Sequence, residues 1–242
     1  RVLHTPITDV EQLKFDLVGQ LENIERGDKV IVVIDSIGNL ASKKELEDAL
    51  NEKSVADMSR AKALKGLFRM VTPYLTMKNI PLLAVNHTYK EIGLFPKDVV
   101  GGGTGIYYSA DNIWIIGRRQ EKKGTEIQGY HFIIKVEKSR FVKEQSKIPI
   151  SVSWEGGIEQ YSGLLDVAMA GGYVTKPNVG WYAAVNMETG EILEPKVREK
   201  ETLKKKFWEP IFADTDFKEF VKTYYSIGHR PMIDIDLDIE SE

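Results

Sequence analysis

The stretch KVIVVIDSIGNL, Lys29 to Leu40, runs through five consecutive apolar residues, Val30 to Ile34, stops at Asp35 and turns polar at Ser36. An uninterrupted apolar run of this kind predicts a strand covered on both faces, as a parallel α/β sheet requires. A carboxylate at its end sits at the rim where open α/β sheets take their ligands. In a nucleotide-hydrolysing fold such a carboxylate accepts from the water shell of Mg²⁺ or binds the metal itself. In the plainer alternative Asp35 caps the next turn. Pattern alone leaves both open.

The elements around this strand alternate. Thr8-Asp9-Val10-Glu11 has the form of a capping box. Val10, Leu13, Leu17, Val18, Leu21 and Ile24 then recur at helical steps, with Gly27 as the closing residue. A polar, charged excursion fills Ala41 to Ser59. Leu64, Leu67, Phe68, Val71 and Leu75 mark a second helix, with Arg60, Lys62, Lys65 and Arg69 largely off that stripe. IPLLAVNH, Ile80 to His87, predicts a second buried strand ending in Asn86-His87-Thr88. The long loop TYKEIGLFPKDVVGGGTGIYYS separates it from the strand ADNIWIIGRR. Structureless loops above about 12–15 residues are uncommon unless functional or disordered.

GYHFIIKVEKSR and KIPISVSWEGG predict an antiparallel pair that extends the sheet. After Gly163 the chain is turn-rich, with a hairpin turn at Glu188-Thr189-Gly190. A last helix begins near Asp214 and uses Phe217, Phe220, Val221 and Tyr224, and IDIDLDIESE forms an acidic tail. The order places residues 1–158 in an α/β core and 159–242 in a smaller domain.

Composition narrows the class. With 242 residues, 42% hydrophobic and 29% charged, the chain fits an ordinary globular protein. No run of 18 apolar residues exists, so no membrane-spanning helix is expected. Zero cysteines exclude disulfides and thiolate metal sites and suit a cytoplasmic protein. The four histidines, His4, His87, His131 and His229, lack zinc-ligand spacing. A net charge of −3 argues against coating DNA by bulk charge, though a local basic face still releases counterions. The chain begins at Arg1 and reads as a fragment with residues cut away upstream.

Several groups carry possible chemistry. His87 either hydrogen-bonds a terminal phosphate or satisfies a loop carbonyl. VVGGGTG, Val99 to Gly105, lacks the lysine of a phosphate loop, and no Gly-Lys dipeptide occurs anywhere. Three consecutive glycines predict a mobile loop that lets backbone approach something closely, such as a nucleic-acid strand, or else a flexible linker. Lys138 and Arg140 lie two apart and so share one face of a strand, where they attract phosphate or simply meet solvent. Arg118-Arg119 carries the same ambiguity. Trp154 either stacks on a base or fills core.

Together IVVIDSIGNLASKKELEDALNEK, IPLLAVNHT, VVGGGTGIYYSAD, KVEKSR and SWEGGIEQYSGLLD resemble the RecA-type recombinases, most closely the UvsX recombinases of large tailed phages. The resemblance runs in unbroken order over nearly the whole chain. It implies a RecA-like P-loop NTPase core with a mostly parallel central sheet and an antiparallel extension. That core would be cut short before the Walker B strand and joined to a small α+β C-terminal domain. Asp35 is then the Mg²⁺-associated carboxylate, with Ser36 beside it at the nucleotide. His87 stands where bacterial relatives have a glutamine that links the γ-phosphate to a DNA loop. Leu46 to Val55 resembles the first DNA-binding loop, and Thr88 to Gly105 the second, with Gly101, Gly102, Gly103, Thr104 and Gly105 at the DNA. Arg60 is similar to a cation that reaches the DNA backbone. Lys138 and Arg140 match a pair that crosses to a neighbour's nucleotide, and Trp154 an aromatic beside the adenine.

The implied parent is a DNA-dependent ATPase that uses ATP and Mg²⁺. It would form a helical homo-oligomer on single-stranded DNA and exchange strands with a homologous duplex in the cytoplasm of an infected bacterium. Phage single-strand-binding and mediator proteins are the implied partners. The resemblance also implies that this chain alone, without the phosphate loop, does not hydrolyse ATP. A non-hydrolysing mediator paralogue and a hexameric helicase-type ATPase are the alternatives.

Overall fold

The computed structural model describes residues 1–51, 58–94, 96–213 and 215–228. The end of the expected first loop, the start of the last helix at Asp214, His229 and the acidic tail lie outside the described residues. The fold is mixed α/β. By its contacts the chain divides into two compact units, Arg1–Asp111 and Asn112–Glu242.

The first unit opens with α1 (Val10–Asn23), which buries Val10, Leu13, Leu17 and Leu21 on one stripe. Each such side chain contributes roughly 1.5–3 kcal/mol when buried, so the stripe outweighs any single cap. The cap is Asp9, one residue later than expected: its carboxylate accepts from Gln12 N–H at 2.8 Å. Gln12 returns the bond by accepting from Thr8 N–H at 2.9 Å, while Glu11 accepts from Lys43 N–H instead. The helix also stops before Gly27, because Ile24 already turns to extended backbone.

Next come β1 (Val32–Ile34), a short 3-10 turn over Ile37–Asn39, α2 (Lys43–Leu50) and α3 (Ser59–Lys78). The polar excursion is thus partly helical. Ser42 and Glu45 form a true capping box there, and no residue of α2 is buried. α3 buries Leu64, Leu67, Phe68 and Val71 against α1 and ends at Asn79 in the left-handed region. β2 (Leu82–Ala84) pairs parallel with β1, Val33 opposite Leu83.

Val32, Ile34, Leu82 and Ala84 join the core of this unit. Val33 and Leu83 point the other way and are 58% and 52% exposed, so the strand expected to be covered on both faces is covered here on one. The expected long loop is also structured. β3 (Thr88–Lys90) and β4 (Asp98–Val100) form an antiparallel hairpin, closed by a Lys90–Asp98 ion pair at 2.7 Å, and α4 (Thr104–Ser109) follows.

In the second unit β5 (Asn112–Lys123), β6 (Glu126–Ser139), β7 (Lys147–Ser153) and β8 (Gly157–Ile158) make an antiparallel sheet in chain order. The predicted β6–β7 pairing is present, Phe132 opposite Ile150. Among the described residues β1 and β2 are the named strands that pair parallel, beside an isolated parallel bridge between Asp9 and Ala41.

The rest of this unit holds α5 (Leu164–Ala170), β9 (Val174–Asn178), β10 (Trp181–Ala184), β11 (Val197–Arg198), α6 (Lys205–Ala213) and α7 (Phe217–Tyr225). Its core is aromatic. Trp208, fully buried, stacks near Tyr161, Phe212 and Phe217 at 6.2, 5.8 and 5.8 Å. Its indole N–H donates to Thr202 O, the partner a buried indole needs.

Candidate functional site

The rim of the β1–β2 pair joins two of the expected residues, His87 and Gly101, in one hydrogen-bond network, close in sequence to Asp35 through Asn39. Asp35 leaves the end of β1 exposed to solvent. Ser36 follows, and its hydroxyl oxygen is buried with no hydrogen-bond partner. Buried polar atoms are nearly always satisfied, so an orphan at a sheet rim marks a place for a ligand atom or water. The chain then tucks back, with Ile37 N–H donating to Val85 O at 3.0 Å and Val85 N–H to Ile34 O at 2.9 Å.

His87 lies at the centre. Its Nε2 is 3.0 Å from Asn39 Oδ1 in the turn after Asp35. Gly38 leaves room for that ring: a Cβ there would stand 2.2 Å from His87 Cδ2. On the other side His87 O accepts from Gly101 N–H at 2.9 Å. Asn86 braces the same junction, donating to Gly101 O at 2.8 Å and accepting from His87 N–H at 2.9 Å. One histidine therefore touches both the turn after Asp35 and the first glycine of VVGGGTG.

The glycine segment is packed rather than loose. Gly102 and Gly103 have φ of +89° and +81°, where side chains other than glycine are strained. A Cβ on Gly102 would fall 2.4 Å from Ile106 Cδ1, and one on Gly105 2.7 Å from Lys65 Cβ. The close approach expected of this backbone is thus made, at least in part, to its own chain at α3 and α4. Thr104 begins α4 beside a groove lined by Lys44, Lys62 and Lys65.

Arg60 points inward. Its Nε donates to Leu40 O at 2.7 Å and its Nη2 to Ile37 O and Gly38 O, each at 2.9 Å. In this conformation the cation expected on a DNA backbone is engaged by protein carbonyls.

Lys138, Arg140 and Trp154 belong to the second unit. Lys138 is half-buried on β6 opposite Ile113. β6 ends at Ser139, whose buried hydroxyl donates to Asn112 Oδ1 at 2.7 Å and accepts from the N–H groups of Phe141 and Val142. Arg140 therefore lies past the strand, and strand alternation does not fix its side. Trp154 is 67% exposed, with its ring 5.9 Å from Tyr130. The Arg118 guanidinium lies 4.7 Å over the other part of this stack, the Tyr130 ring. Tyr130 belongs to no recognisable motif in the sequence. Cross-strand register was the available clue, since Tyr130 pairs with Val152, two residues before Trp154.

Among the described residues no three histidine or acidic side chains gather around a metal position, and no helix is long and apolar enough to cross a membrane.

Comparison with known proteins gives the class first. The chain is 26% identical over 164 residues to Protein RecA of Tropheryma whipplei (strain Twist), covering 66% of this chain and 37% of that protein. It is 22% identical over 203 residues to Protein RecA of Clostridioides difficile (strain 630), covering 83% and 56%. The particular likeness is stronger: 56% identity over 232 residues to the Recombination and repair protein of Enterobacteria phage T4, covering 94% of this chain and 59% of that protein. Residues 161–221 match the family model described as Bacteriophage T4, Recombination and repair protein, C-terminal domain. The likeness to the phage protein therefore extends across nearly the whole chain, and the likeness to RecA proteins across about two thirds of it or more. The chain spans 59% of the length of the phage relative, and 56% and 37% of the two RecA proteins.

Proposed function

We propose that this chain is part of an ATP-dependent recombinase that polymerises on single-stranded DNA and exchanges strands with a homologous duplex. The observation that carries this reading is His87, bonded at once to the turn after Asp35 and to the glycine turn. A histidine so placed is positioned to report one ligand to the other. Base pairing would supply sequence readout while the protein holds backbone, a task suited to N–H groups of a glycine turn.

In this reading Asp35 and the orphaned Ser36 hydroxyl hold Mg²⁺ and its water shell, a fit favoured by the exposure of the one and the missing partner of the other. The bound ion would neutralise charge on the phosphates. Trp154 would offer its exposed ring to the adenine, with Tyr130 behind it. Lys138 and Arg140 would reach a nucleotide held by the next copy and stabilise charge developing on its phosphoryl group, as trans arginine fingers do. Hydrolysis would then depend on assembly.

The finer fold assignment belongs to the same proposal. The β1–β2 pair would be part of a larger, mostly parallel sheet in a longer chain, which would also cover the apolar face of Val33 and Leu83. Residues 159–242 would form the small C-terminal domain. The direct experiment is nucleotide turnover by the full-length protein with and without single-stranded DNA. Stimulation by DNA supports the reading. Equal turnover in both conditions removes it, and a mediator or ring-forming ATPase takes its place.

A further inference from the structure

The turn after Asp35 is weakly closed by its own backbone. Asn39 N–H to Ser36 O and Leu40 N–H to Ile37 O both measure 3.4 Å, longer than the usual span of about 2.7–3.2 Å. Arg60, in the first turn of α3, makes the shorter contacts: 2.7 Å to Leu40 O, and 2.9 Å to both Ile37 O and Gly38 O. Hydrogen bonds from a charged donor are also roughly twice as strong as neutral ones. On both counts the shape of this turn is set by Arg60 from outside rather than by the turn itself.

What the turn presents is the contact surface for His87. Asn39 supplies the oxygen at Nε2, and Gly38 supplies the gap in which the ring lies. We propose that Arg60 is a positioning residue for His87. By gripping the carbonyls of Ile37, Gly38 and Leu40 it fixes where Asn39 and Gly38 meet the imidazole. Any coupling between the Asp35 rim and the glycine turn then requires the Arg60 clamp. The planar guanidinium suits this task, because Nε and Nη2 address three carbonyls from one rigid fork. A lysine ammonium keeps the charge but loses that geometry. Arg60 is remote in sequence from both groups it serves, so its role is visible only in the folded chain.

The test uses the full-length protein and two readouts. The first is the ring signals of His87 in histidine-labelled protein, assigned with His87→Gln. The second, which rests on the proposed function, is the turnover increment that saturating single-stranded DNA produces. Arg60→Lys and Arg60→Ala are expected to shift the His87 signals, leave those of His131 in place, and cut the increment about tenfold. Asn39→Ala should give a similar cut, and Arg60→Lys combined with Asn39→Ala should be no worse than either alone, as for two residues in one network. If Arg60→Ala does not fold, Arg60→Lys carries the test.

Unchanged His87 signals in Arg60→Lys would overturn the proposal. So would an increment that returns to the wild-type level once DNA is saturating, which would make Arg60 a simple phosphate contact. Strictly additive losses would overturn it too. A wild-type protein with no DNA-stimulated turnover would instead defeat the functional reading, leaving the His87 signals to decide the role of Arg60.

Discussion

Asn39 and His87 face each other across the end of the parallel strand pair, Oδ1 to Nε2 at 3.0 Å, though 48 positions apart in the chain. Each is tied to something different. Asn39 belongs to the turn that follows Asp35. His87 is tied to Gly101 directly through its own carbonyl and indirectly through the Asn86 side chain, which bridges His87 N–H and Gly101 O. A displacement at either end must therefore be felt at the other, or the imidazole contact must break.

Gly38→Ala tests this contact while leaving both Asn39 and His87 in the sequence. Its Cβ would stand 2.2 Å from His87 Cδ2, so the ring has to move away. The expected result is a loss of DNA-stimulated turnover resembling that of His87→Ala, with the Asn39 bond, worth about 1 kcal/mol net, also gone. DNA-stimulated turnover at the wild-type level in Gly38→Ala would show that the ring position does not matter.

The glycine turn gives a graded series. Gly102→Ala combines a positive φ with a 2.4 Å clash on Ile106, whereas Gly101→Ala meets His87 O at 3.0 Å and Asn86 Oδ1 at an ordinary 3.7 Å. Binding of single-stranded DNA should fall more in Gly102→Ala than in Gly101→Ala. Replacement of Gly101 to Gly103 together should weaken DNA binding more than nucleotide binding, measured by titration of each ligand. The reverse ranking would assign this turn to phosphates of the nucleotide.

Tyr173 makes a prediction about pH. Burial, then its 2.5 Å hydrogen bond to Asp216 and that carboxylate's charge, push the phenol up to about 12. In the unfolded chain it ionises near 10. A raised folded value means the stabilisation is fully present below pH 10 and drains away as pH rises through 12. Denaturation of the wild type should therefore become easier between pH 9 and about 11.5 by more than that of Tyr173→Phe. Equal pH dependence in the two would remove this pair from the stability of the second unit.

The parts of this fold that were legible in the sequence are those decided by local periodicity. The stripes Val10-Leu13-Leu17-Leu21 and Leu64-Leu67-Phe68-Val71 are buried where the pattern put them, and β6 pairs with β7. Decisions made by distant partners were not legible. Glu11 accepts from Lys43 N–H, 32 positions away, and Asp9 rather than Thr8 takes the cap. The hairpin β3–β4 closes through Lys90 and Asp98, a pair with no marked pattern between them. α5 and α6 carried no marked pattern and are held by burying Val167, Ala168, Phe207, Trp208 and Ile211 in one shared core. At the candidate site Asp35 and His87 were visible as polar strand ends. The inward turn of Arg60 was not, because a guanidinium serves carbonyls and phosphates equally well and only the fold chooses.

In the proposed function the nucleotide site is completed between copies, with Asp35 from one and Lys138 and Arg140 from the next. Mixing two inactive full-length variants measures it directly: Asp35→Ala, and Lys138→Ala combined with Arg140→Ala. In a randomly mixed head-to-tail filament on single-stranded DNA, roughly one interface in four carries every wild-type group. Mixed equally, the two should recover about a quarter of wild-type turnover, whereas either alone stays silent. No recovery in mixed filaments, or full activity of the Lys138 and Arg140 variant by itself, would contradict the account.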